Sequence, residues 1–94
     1  MSLLKLKYTH SAKKQLKKIN LSSEDKDCLE KCLDSLCVGK ELPKRYHDHS
    51  LSGNWINHRE FHLRPNLLVI YSIDGEELIL TVVAVGRHHN LLGI

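Results

Sequence analysis

Six of the seven histidines in this chain stand in two blocks that also carry arginine, a pairing suited to acid–base work on a phosphodiester. The first block runs from Tyr46 through His47, Asp48, His49, Gly53, Trp55 and His58 to Arg59, Glu60 and His62, and the second is Gly86-Arg87-His88-His89. Cutting RNA without a metal takes a base for the 2′-hydroxyl, an acid for the departing 5′-oxygen and cations for the phosphorane. His49, His62 and His88 are the candidates for base and acid. Arg59 and Arg87 are the candidates for holding non-bridging oxygens, because a guanidinium offers the fork that lysine lacks. His47-x-His49 with His62 and His88-His89 also offers enough imidazoles for tetrahedral zinc, but the flanking arginines would repel a divalent cation, so no metal or other cofactor is expected. His10, His47, His58 and His89 read as surface or core histidines with no assigned role. Trp55 and Tyr71 can stack on bases, and Trp55 beside Gly53 can equally plug the edge of a core.

These residues need a frame. Leu4, Leu6 and Tyr8 alternate with lysines, which predicts a short strand at or near a sheet edge. Ala12, Leu16 and Ile19 recur at helical spacing over Ser11 to Ile19, and Asn20 marks the end of that basic helix. Ser22 or Ser23 caps a second helix that Gly39 can stop, with Glu24, Asp25 and Asp27 complementing its dipole. Its stripe of Leu29, Cys32, Leu33, Leu36 and Cys37 should face the core. Lys40 to Asn57 reads as loop with a short strand, and His58 to Leu63 as a strand with Arg59, Phe61 and Leu63 on one side and Glu60 and His62 on the other. Pro65-Asn66 makes a turn, Leu67 to Tyr71 a central strand covered on both faces, and Asp74-Gly75 a hairpin into a strand from Leu78 to Val85. The order predicts an α+β domain: an N-terminal strand, two helices, then antiparallel strands forming a small twisted sheet with the helices packed on one face.

Ninety-four residues suffice for one domain, here 1–94, with a single modest core. The apolar fraction of 41% and charged fraction of 27% are those of an ordinary globular chain. No run is long enough to span a bilayer, and Met1 to Lys7 alternates leucine with lysine rather than forming a signal-peptide core, so a cytoplasmic protein without a membrane partner is expected. Cys28, Cys32 and Cys37 are odd in number and share one helical pattern, which fits reduced thiols better than a disulfide framework. Lys5, Lys7, Lys13, Lys14, Lys17 and Lys18 precede every acidic residue, a lopsidedness that favours an anionic partner, nucleic acid first. There is no P-loop, nucleophile elbow or zinc-finger cysteine pattern.

The run Tyr46-x-Asp48-His49-x-Leu51-x-Gly53-x-Trp55, then Arg59-Glu60-x-His62-Leu63-x-Pro65, Leu68-x-Ile70-Tyr71 and Gly86-x-His88, resembles the YafQ branch of the RelE/ParE superfamily of bacterial toxins over about half the chain. The resemblance implies a ribosome-dependent endoribonuclease that cuts messenger RNA in the A site, silenced by a cognate antitoxin and with no DNA binding of its own. It places the family's active-site histidines on His49, His62 and His88, its catalytic aspartate on Asn66 and its C-terminal aromatic on Leu92. The expected chemistry has His49 or His62 as base, His88 as acid, and Arg59 with Arg87 as phosphate clamp. Asn66, Trp55 and Leu92 would flank the substrate, and Lys13, Lys14, Lys17 and Lys18 would grip ribosomal RNA. The alternative is a toxin-like module in which Asn66 and Leu92 have weakened catalysis while RNA or antitoxin binding persists. A gyrase poison on the same fold would need no histidine cluster.

Overall fold

The computed structural model describes residues 3–87, so His88, His89 and Leu92 lie outside the described residues. The elements run β1 (Lys5–Tyr8), α1 (His10–Ile19), α2 (Ser23–Cys37), β2 (His49–Ser50), β3 (Arg59–Arg64), β4 (Leu67–Asp74) and β5 (Ile79–Arg87), with 3₁₀ turns at Lys44–Tyr46 and Gly53–Trp55. The five strands form one sheet in the order β1-β5-β4-β3-β2. β1 joins β5 in parallel, and every other neighbour is antiparallel. The α+β architecture with an N-terminal edge strand and two helices is the one the sequence pattern predicts.

Local chemistry sets the helix limits. The first helix starts a residue earlier than Ser11 because Thr9 caps it, its hydroxyl accepting from the Ala12 amide at 3.1 Å. That hydroxyl also donates to the Val83 carbonyl at 3.0 Å. Val83 is the residue of β5 left over where the register slips between Ile70 and Tyr71, so one side chain ties the helix start to a bulge. Asn20 ends α1 in the left-handed region at φ 54°, and Ser22 caps α2 through the Asp25 amide.

The stripe of α2 is buried as its spacing predicts, against Phe61, Leu63, Val69, Tyr71, Leu80, Val82 and Val85 of the sheet. Leu68 and Ile70 point to the other face of β4 and are also fully buried, which accounts for the unbroken apolar run. All three cysteines are free thiols. Burial, then the neighbouring Cys28, pushes the Cys32 thiol up from 9.0 to about 11. Because the folded value exceeds the unfolded one, the neutral thiol's contribution is complete below pH 9.0 and is lost as pH climbs toward about 11. Tyr8 and Cys37 are shifted in the same direction, chiefly by burial. Thermal unfolding midpoints should therefore fall with rising pH across that window, and Cys32→Ala should shallow the slope while lowering the plateau. An equal slope in the variant would place the alkaline sensitivity elsewhere.

Candidate active site

Chain alternation around Asp48 builds the site. His47 turns through the left-handed region at φ 49°, after which the Asp48 carboxylate accepts from the Tyr71 hydroxyl at 2.7 Å and from Arg59 Nε at 3.4 Å. Burial, and then the bond to Asp48, hold the Tyr71 hydroxyl well above the ordinary phenol range, so it remains a donor. With Asp48 anchored on the helix side of the sheet, its neighbours His47 and His49 are directed together toward His62. The His47 and His49 rings lie 5.5 and 6.3 Å from the His62 ring.

Glu60 joins the histidines from below. β2 pairs His49 with Glu60 across the ladder, and His62 stands two residues further along β3 on the same face. Glu60 Oε1 sits 3.2 Å from His49 Nε2 and 3.4 Å from His62 Nε2. The carboxylate is buried at 3% exposure, and its Oε2 has no hydrogen-bond partner. A charge in that position is expensive unless donors face it, and the ring nitrogens of the two imidazoles are the groups placed to do so. His49 is held at both ring nitrogens, because Nδ1 lies 2.6 Å from the His47 carbonyl. A carbonyl and a carboxylate only accept, so both contacts are satisfied when both nitrogens carry hydrogen.

The histidines open onto a cavity of about 580 Å³ lined by Arg45, Tyr46, His47, His49, His62 and the Leu63-Arg64-Pro65 bend. Two arginines supply its positive charge. Arg45 stacks 4.9 Å over the Tyr46 ring and donates to that hydroxyl at 3.1 Å, and it has no carboxylate partner among the described residues. Arg64 Nε donates to Asp25 at 2.7 Å, which ties the cavity rim to the start of α2.

His49 and His62 thus converge as expected, but the expected arginines do not join them. Arg59 faces the helix side with Phe61 and is committed to Asp48, because successive residues of a strand face opposite ways. Arg87, opposite Leu67 at the end of β5, does not line the cavity. Trp55 lies in the turn before β3, its ring edge-on to His58 at 5.5 Å, and Asn66 occupies the β3–β4 turn next to Pro65. Lys13, Lys14 and Lys17 border a separate cavity on α1 that does not include Lys18. His47, Glu60, Arg45 and Arg64 are the residues sequence reasoning passed over. Period-2 alternation could have drawn Glu60 in beside His62, whereas Arg45 enters only through the 3₁₀ turn. Among the described residues no group of three or more His, Cys, Asp or Glu is placed to hold a metal ion. Among the described residues no helix is long and apolar enough to cross a membrane.

Residues 4–93 match the family described as the YafQ bacterial toxin of type II toxin-antitoxin systems. The mRNA interferase toxin YafQ of Escherichia coli (strain K12) is 35% identical over 52 residues, 55% of this chain and 54% of that protein. The chain thus spans about half the length of the curated relative it matches. A metal-bound toxin from Helicobacter pylori, solved by crystallography, shares 32% identity with a TM-score of 0.88 over 96% of this chain and 100% of its own. The E. coli DinJ-YafQ toxin-antitoxin complex gives 24% identity and a TM-score of 0.77 over 97% of this chain and 99% of the other, a likeness of fold.

Proposed function

The chain belongs to the YafQ family of type II toxins, and from that premise we propose that it is a ribosome-dependent endoribonuclease that cuts messenger RNA in the A site, needs no metal, and is restrained by a cognate antitoxin. The observation that carries the reading is the shared Glu60 oxygen beneath His49 and His62, which sets two proton carriers side by side at an arginine-lined cavity.

His62 is the base. Its Nε2 faces Glu60 at the longer distance and, among the described residues, no acceptor claims its Nδ1, whereas both ring nitrogens of His49 are engaged. His62 takes the 2′-hydroxyl proton, the 2′-oxygen attacks phosphorus, and the bond to the 5′-oxygen breaks to leave a 2′,3′-cyclic phosphate. His88, outside the described residues, gives the leaving oxygen its proton, and Arg45, with His49 beside it, stabilises the phosphorane. Arg59 acts through Asp48 as a positioning residue. Asn66, an amide, cannot be the base.

The test is single-turnover cleavage of ribosome-bound message. The rate should follow a bell in pH with both arms between roughly 5 and 8, the range of histidine chemistry, and should survive chelator once the ribosome's magnesium is restored. A rate abolished by chelation alone would sink the metal-free mechanism. Absent cleavage with intact RNA or antitoxin binding would favour the weakened-module reading that Asn66 raises. The clamp is tested separately: Arg45→Lys keeps the charge but loses the fork, and should slow cleavage about 10-fold or more with binding of the ribosome retained. Wild-type rates in Arg45→Lys would move the phosphorane's stabilisation to another group.

A further inference from the structure

Arg64 lines the histidine cavity yet has no part in the chemistry assigned above, and its placement departs from the regular course of its strand. Two residues on from His62, it would face as His62 does if β3 continued unbroken. The register instead slips between His62 and Arg64, leaving Leu63 without a partner on β4, and this bulge brings Arg64 to the rim beside the first turn of α2. There Asp25 Oδ1 accepts from Nε, at 2.7 Å, and from Nη2. The Arg64 side chain is 54% exposed, and an ion pair so open to water contributes little to stability. What the pair fixes is direction. With Nε and one Nη2 hydrogen turned to Asp25, the outer edge of the guanidinium, Nη1 with the other Nη2 hydrogen, keeps a two-donor fork of the kind that grips a phosphate.

We propose that Arg64 holds the phosphodiester on the 5′ side of the one that is cut, with Asp25 as the residue that positions it; the identity of the ligand rests on the endoribonuclease reading above. The cavity of about 580 Å³ falls within the roughly 300–1,000 Å³ usual for sites that enclose whole ligands, so it has room for a nucleotide and not only for the scissile phosphate. Arg45 and His62 serve the reacting phosphate. Arg64 stands two residues beyond His62, and His62 works on the 2′-hydroxyl of the nucleotide whose own 5′-phosphate is the next anion along the RNA. The second arginine meets that anion. The start of α2 holds both arginines from one helix face: Asp25 binds Arg64, and Cys28, three residues on, lies 3.2 Å from the Tyr46 hydroxyl to which Arg45 donates. Two forks anchored on one helix keep a fixed spacing, which suits a chain of at least two phosphates over a mononucleotide.

The probe is an RNA trinucleotide with hydrogen in place of the middle 2′-hydroxyl, so that it binds without being cut. Titrated into the isotope-labelled protein, it should shift the amides of Leu63 and Arg64. Replacing its first linkage with an uncharged methylphosphonate should weaken binding about 10-fold in the wild type, and should cost nothing further in Arg64→Gln, which starts about 10-fold weaker. A methylphosphonate at the second linkage should weaken both proteins alike. Asp25→Asn should shrink the penalty of the first methylphosphonate while the melting temperature stays near that of the wild type. Additive losses in Arg64→Gln, coupling to the second linkage instead, or shifts absent from Leu63 and Arg64 would each overturn the assignment, and a full methylphosphonate penalty in Asp25→Asn would remove Asp25 as the positioning residue. Wild-type cleavage of ribosome-bound message is measured in parallel. Cleavage without coupling removes the phosphate site and leaves the nuclease, whereas coupling without cleavage removes the nuclease and leaves the phosphate site.

Discussion

His62→Gln should lower single-turnover cleavage of ribosome-bound message by a factor on the order of 10² to 10⁴, the usual cost of losing a general base. The side chain is partly exposed at 24% and packs on the cavity side of β3, so glutamine fits without a void and the fold should survive. The variant's rate should also lose the acidic arm of the bell, because the group whose deprotonation that arm reports has gone. His58→Gln, altering a histidine held on the turn by the Ile56 carbonyl and away from the cavity, is the matched control. If His62→Gln retains the acidic arm and most of the rate, His49 is the base despite the contacts at both of its ring nitrogens.

Glu60→Gln should separate catalysis from stability. The substitution keeps the size of a fully buried side chain but removes a carboxylate whose Oε2 has no partner. The imidazoles that face the carboxylate are 50% and 24% exposed, so losing it strands no buried cation and the melting temperature should change little. Cleavage should fall on the order of 10- to 100-fold, because the negative charge that faces His49 Nε2 and His62 Nε2 no longer orients the two rings. A fall in both stability and rate would make Glu60 a structural residue only.

The parts of this molecule governed by local pattern were legible in the sequence. The α2 stripe, the Asn20 stop, the Pro65-Asn66 turn and the double-sided burial of β4 follow from spacing and turn chemistry, and each stands as read. The cavity was legible only in part. His49 and His62 were found because residue type alone points to proton transfer, and Arg59 was drawn to them for the same reason. The alternation of β3 already set Arg59 on the Phe61 side, and geometry outweighs chemical aptitude. Arg45 was hidden differently. Its approach depends on a 3₁₀ turn and on stacking with Tyr46, and neither leaves a periodic trace. The cap at Thr9 is a local signal the sequence carried, but its second bond, to Val83, reaches far along the chain and leaves none.

The parallel pairing of β1 with β5 also dictates an order of assembly. Lys5 finds Ile79, and Thr9 finds Val83, only after nearly the whole described chain has been synthesised. Everything between them forms one long loop whose closure must precede the reward of that contact, a topology that slows folding relative to helical neighbours of similar size. During translation β2 and β3 leave the ribosome ahead of β5, so the histidines are first displayed on a sheet that lacks its penultimate strand and has nothing for β1 to join. The placement of His49, Glu60 and His62 in the complete sheet is thus a property of a chain that already includes β5. Synthesis of β2 and β3 alone therefore does not complete the sheet that carries the site, which waits on β5.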